Sequence, residues 1–155
     1  MLILFLSILP LGTVEDKKTI TGGELRDLLF LRDVHAINLS IRDDRYVLPT
    51  TYDLQQFKPN LLPYRTHAYD CEDIADDARI QYIRKNLKNN AGQVFGTATF
   101  MFHEGNGHSV NIFYLKDLGN FYIIDYGMLG NPLRNMKTFE AYSKSMNTKD
   151  IRIVF

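Results

Sequence analysis

A single cysteine, no tryptophan and no excess of charge of either sign set the first limits on this 155-residue chain. One cysteine excludes an internal disulfide framework and any zinc module built on CxxC pairs. Eighteen Lys and Arg balance eighteen Asp and Glu. No basic run tracks a phosphate backbone, so nothing favours nucleic acid as a partner. The longest apolar run, Met1 to Leu11, is too short to span a bilayer. There is no internal repeat and no low-complexity tract. What is present is globular in kind: 45% apolar residues, ten Phe and nine Tyr. A chain of this length reads as one domain over 1–155, able to bury a core without disulfide staples.

The apolar start admits two readings. It can be the apolar core of a secretory signal, although the first basic residue is Lys17 and no small-residue cleavage site follows. It can equally be a buried strand stopped by Pro10 and Gly12. A signal remnant would place the protein in the periplasm; otherwise the sequence does not give the compartment, since a free cysteine near an acid cluster fits cytoplasm and periplasm equally.

Beyond it, Thr21-Gly-Gly-Glu24 has the spacing of a capping box and predicts a helix to about Leu31. Val34 to Ile41 alternates and predicts a strand, as does Tyr46 to Leu48 before Pro49. Thr51 can cap a short helix through Phe57. The longest helical period runs from Cys71 to about Leu87, through Ile74, Ala75, Ala78, Ile80 and Ile83. Three strands follow, Gln93 to Phe102, His108 to Leu115 and Asn120 to Asp125, the last two joined by a Gly-containing turn. Thr138 to Met146 predicts a helix and Ile151 to Phe155 a closing strand. Helices dominate the first half and consecutive antiparallel strands the second, which is an α+β pattern.

The cysteine sits in Tyr69-Asp-Cys-Glu-Asp-Ile-Ala75, at the start of the longest helix. Unpaired N–H groups and the positive end of the helix dipole favour thiolate there. Gly107-His-Ser-Val-Asn111 places His108 at a strand start. If Leu115 pairs with Asn120, paired positions sum to 235 and Asp125 lies opposite Val110. Side chains alternate with period two, so His108 and Asp125 become diagonal neighbours on one face. A one-residue slip would break that pairing. A thiol, an imidazole and a carboxylate in this order suit nucleophilic catalysis, with the Cys71 N–H as oxyanion donor.

Five carboxylates between Asp70 and Asp77 oppose thiolate formation. Either they point away, or they are neutralised by the imidazolium or by a divalent cation, for which calcium suits the oxygen-rich set. The same acids also serve as ordinary first-turn helix charges. Cys71 can also be a buried structural thiol. His67, Cys71, His103 and His108 could supply four zinc ligands, but His103-Glu-Gly-Asn-Gly-His108 is one residue too long for a zincin helix.

Taken together, Asp-Cys-Glu-Asp at 70–73 before Ala75, Gly107-His-x-x-Asn111, and an acid ending the next strand resemble the transglutaminase-like branch of the papain-like cysteine-hydrolase superfamily. Bacterial transglutaminase-like cysteine proteinases carry a similar motif. Tyr46-Val-Leu-Pro49, Tyr69-Asp-Cys-Glu-Asp73 and Gly107 to Phe113 are similar to small bacteriophage-encoded members. The resemblance covers about Tyr46 to Tyr126.

It implies a papain-like or transglutaminase-like core, with the nucleophile at a helix N-terminus packed on an antiparallel sheet. It implies a cysteine hydrolase or acyltransferase acting on amide or peptide bonds of a protein or peptide substrate. Cys71 would be the nucleophile, His108 the base and Asp125 the orienting acid, with no cofactor required. In some members the acids flanking the cysteine bind calcium, and Asp70 and Glu72 match those positions. Gln93 would be an extra oxyanion donor by analogy. The alternative is an inactive member of the same fold, serving as a phage structural or host-interaction module.

Overall fold

A computed structural model describes residues 19–65, 70–86, 91–127 and 132–155. The two readings of Met1 to Leu11 therefore lie outside the described residues, as does His67. The chain begins with β1 (Thr19–Thr21) and α1 (Gly22–Leu31). The capping box is present: the Thr21 hydroxyl accepts from the Glu24 N–H, and Glu24 accepts from the Thr21 N–H at 2.8 Å. β2 (Asn38–Ser40), β3 (Arg45–Val47) and the short helix α2 (Thr51–Gln55) follow. Thr50, not Thr51, caps α2, in a second reciprocal box with Asp53. Then come α3 (Cys71–Lys85), β4 (Gly92–Gln93), β5 (Phe95–Phe102), β6 (Gly107–Leu115) and β7 (Asn120–Ile124). A 3-10 turn (Pro132–Asn135), β8 (Lys137–Thr138), α4 (Phe139–Ser145) and β9 (Thr148–Val154) complete it.

Two sheets result. The larger has the order β2-β9-β5-β6-β7-β8 and the smaller β1-β3-β4. The expected antiparallel sheet is corrected here. β2 runs parallel to β9, and β3 parallel to β4. Both pairs join segments far apart in the chain, a pairing that local alternation does not encode. The single strand expected over Gln93 to Phe102 is broken at Val94. Its N–H donates to Val47 O in the small sheet, and its carbonyl accepts from Tyr114 N–H in the large one. Val34 to Ile41, expected as one strand, pairs only over Asn38–Ser40. The Val34 N–H is committed to Leu29 O at the end of α1, so the start of the segment closes the helix instead.

Strand parity sorts the core. Val110, Ile112 and Tyr114 face one side of β6, packing with Ala98, Phe100, Ile153, α1 and α4. Phe113 and Leu115 face the other, with Phe95, Tyr82, Leu54 and Phe57. α3 is tied to this second face by Asn111, which is fully buried and donates its amide to Ala75 O at 2.8 Å and Gly96 O at 3.2 Å. Asn111→Ala is expected to cost about 2 kcal/mol, because two enclosed carbonyls lose a donor. Urea unfolding showing under about 0.5 kcal/mol would remove this tether from the account. Among the described residues no helix is long and apolar enough to cross a membrane.

Candidate functional site

The hairpin arithmetic holds in the structure. Leu115 pairs with Asn120 and Asn111 with Ile124. Asp125 follows directly on β7, and its Oδ2 lies 2.6 Å from His108 Nε2. A carboxylate accepts, so the proton of this bond belongs to Nε2. The other oxygen accepts from the Gly127 N–H at 2.9 Å. Asp125 is buried, while the His108 side chain keeps 27% exposure.

Cys71 is the first residue of α3 and half-buried. Asp70 caps the helix: its Oδ1 accepts from Glu72 N–H at 3.0 Å, and its own N–H donates to Asp73 at 3.2 Å. The cleft beside the thiol holds about 270 Å3 and is lined by Asp70, Cys71, Glu72, Thr99, Met101, Gly107, Ser109 and Arg152. Three of these form a row across the sheet. Arg152 on β9 pairs with Thr99 on β5, which pairs with Ser109 on β6. The Thr99 and Ser109 hydroxyls are 2.8 Å apart. A Cβ on Gly107 would come within 3.0 Å of Met101 Sδ, so glycine keeps that wall open.

The cleft receives the neighbours of His108 in sequence, not His108 itself. His108 shares the parity of Val110 and Ile112, whereas Ser109 and Asn111 face α3. Among the described residues, the partner of its ring is Asp125, with no hydrogen bond to Cys71. Cys71 and Asp125 both lie close enough to Tyr142 for their charges to act on its phenol, which burial chiefly pushes well above the ordinary tyrosine range.

Gln93, expected as an oxyanion donor, lies elsewhere. It sits on β4 and donates to Asn86 O, past the far end of the 15-residue helix whose start carries Cys71. That helix is about 22 Å long. Asp70 and Glu72 both line the cleft, but among the described residues no three His, Cys, Asp or Glu side chains converge as metal ligands. Sequence reasoning passed over Arg152, Thr99 and Ser109. The signal available was slight, a Thr alternating with apolar neighbours in Phe95–Phe102.

No family model and no curated protein matches this chain. Solved structures do. One is described as a complex of PSL1a with E64, with a TM-score of 0.64 at 16% identity, covering 90% of this chain and 52% of that one. Another is the Polyporus squamosus lectin bound to the epitope Neu5Acα2-6Galβ1-4GlcNAc, with a TM-score of 0.60 at 16% identity, covering 88% of this chain and 50% of that one. The fold is one found in this lectin. This chain spans about half the length of each neighbour.

These matches overturn four expectations. The resemblance to transglutaminase-like cysteine proteinases and their phage-encoded relatives gives way to a structural likeness to a lectin. The papain-like core gives way to a β-rich fold, a six-stranded mixed sheet with short helices. The amide-bond hydrolase or acyltransferase acting through Cys71, His108 and Asp125, its inactive phage alternative and the peptide substrate are not what these matches point to. The physical reason is that a short motif reports local geometry, a thiol at a helix start and an imidazole on a strand. Unrelated functions share such geometry on shared folds.

Proposed function

We propose that this domain binds carbohydrate, and that the cleft between the start of α3 and the sheet is where it does so. The observation that carries this reading is the likeness to the lectin over about nine-tenths of the chain. The lining supplies matching chemistry. The carboxylates of Asp70 and Glu72 accept hydrogen bonds, the Arg152 guanidinium donates them, and the Thr99 and Ser109 hydroxyls do both. Met101 offers an apolar contact to a sugar ring's C–H face. Two carboxylates against one guanidinium favour a neutral sugar over an anionic one. His108 and Asp125 act by position: their bond clamps the start of β6 to the end of β7, beside Gly107. Cys71 stands in the cleft wall as a built-in reporter.

Because the match covers about half of each neighbour, the first test is whether this chain alone retains sugar. The panel is N-acetyllactosamine, its α2-6-sialylated form, lactose and D-mannose, scored by calorimetry and by the rate of iodoacetamide alkylation of Cys71. A single open cleft should bind with a Kd on the order of 1 mM. The bound sugar should slow alkylation severalfold, and Arg152→Ala should abolish both effects. The reading is lost if no sugar on the panel binds or protects the thiol.

A further inference from the structure

The other end of α3 borders a separate cavity of about 360 Å3, between α2, the end of β3, Gln93 and Lys116. Its walls are Val47, Leu48 and Pro49 on one side and Tyr82 on another. Two polar side chains are almost wholly buried against it, Tyr82 at 1% and Gln93 at 3% exposure. Burial in a folded core normally commits such groups to partners. Here the commitments are partial. Gln93 donates its amide N–H to Asn86 O at 3.1 Å, and among the described residues its amide oxygen has no partner. The Tyr82 hydroxyl likewise has none, although its ring stacks on Phe95 at 4.3 Å. Neither atom is sealed away. The enclosed polar atoms without a hydrogen-bond partner include Asn111 Oδ1, beneath α3.

The remaining groups show what would fill the space. Asp53 gives one oxygen to Thr50, accepting from its N–H at 2.9 Å and its hydroxyl at 2.7 Å, and the other oxygen is uncommitted among the described residues. Asn86 donates its side-chain amide to Tyr82 O at 2.9 Å, and its side-chain oxygen Oδ1 is uncommitted among the described residues. The charged lining residues are Asp53 and Lys116, one of each sign. An ionic ligand would unbalance that pair in a partly desolvated space. A neutral ligand would not. Acceptors at Asp53, Asn86 and Gln93, with the Tyr82 hydroxyl able to donate, require groups that both give and receive hydrogen bonds. Hydroxyls do so, and the aliphatic wall suits a carbon skeleton.

We propose that this cavity is a second binding site, for a small uncharged polyol of monosaccharide size. It lies a helix length from the cleft and stands whether or not the cleft holds sugar. Amide NMR titrations of the whole chain with D-glucose, D-glucitol, glycine and 1,4-diaminobutane test it. D-Glucose or D-glucitol should shift the amides of Asn86, Gln93 and Lys116. Tyr82→Phe, which keeps the stacked ring, and Gln93→Leu should each weaken those shifts about tenfold, the loss of one hydrogen bond. Arg152→Ala in the cleft should leave them unchanged. Shifts confined to the cleft, shifts insensitive to both cavity variants, or preferential binding of glycine or the diamine would each overturn the proposal.

Discussion

Replacing Phe95 with alanine should destabilise the protein by about 3–5 kcal/mol, the cost of emptying a large aromatic site that cannot collapse. Phe95 is fully buried on β5. Its ring stacks on Tyr82 at 4.3 Å and on Phe113 at 5.5 Å, both at 11°, and meets Phe57 edge-on at 5.8 Å. It therefore joins α3, the segment after α2 and the centre of the sheet in one cluster. The sheet holds its neighbours on both sides, since β5 is bonded to β6 and β9. A drop in Tm on the order of 10 °C should accompany the loss for a chain this long. Phe95→Leu should recover a large part of it. A Phe95→Ala variant within about 1 kcal/mol of wild type would mean that the cluster relaxes freely.

His108→Ala should cost about 3 kcal/mol, by leaving a buried carboxylate without its main partner. The Asp125 side chain is 6% exposed and, among the described residues, would keep a single hydrogen bond, from Gly127 N–H. Adding Asp125→Asn should recover most of the loss, because a neutral amide is cheaper to leave in that position than a carboxylate. The double-mutant cycle should therefore be strongly non-additive. If His108→Ala/Asp125→Asn is no more stable than His108→Ala, the pair contributes no specific coupling. In the whole chain the same variants should loosen Gly107 and Ser109 at the cleft rim, and so weaken any sugar that the cleft binds.

The parts legible in the sequence were those with a local cause. Thr21 and Glu24 marked the start of α1 because a capping box satisfies orphan N–H groups within four residues. The apolar period from Cys71 marked α3, and the residue sum of 235, conditional on Leu115 pairing with Asn120 across a short turn, is the β6–β7 register observed. That register placed Asp125 beside His108. The cleft was less legible. Its cysteine and flanking acids stood out as a motif, but Arg152, Thr99 and Ser109 come from three strands that meet only in the sheet. The motif also suggested a family that the fold does not support, since helix starts bearing a thiol recur across folds.

By itself the sequence determined the starts of α1 and α3, the hairpin, the charge balance and the absence of any disulfide framework, all effects that act within a few residues or on totals. Tertiary structure alone decided that β9 lies between β2 and β5, and that Val94 is shared by two sheets. It also decided that His108 faces away from Ser109, and that Gln93 sits at the opposite end of α3 from Cys71. Those outcomes depend on which distant strands bury each other's faces. Burial is a property of the whole packed chain, and no local window carries it.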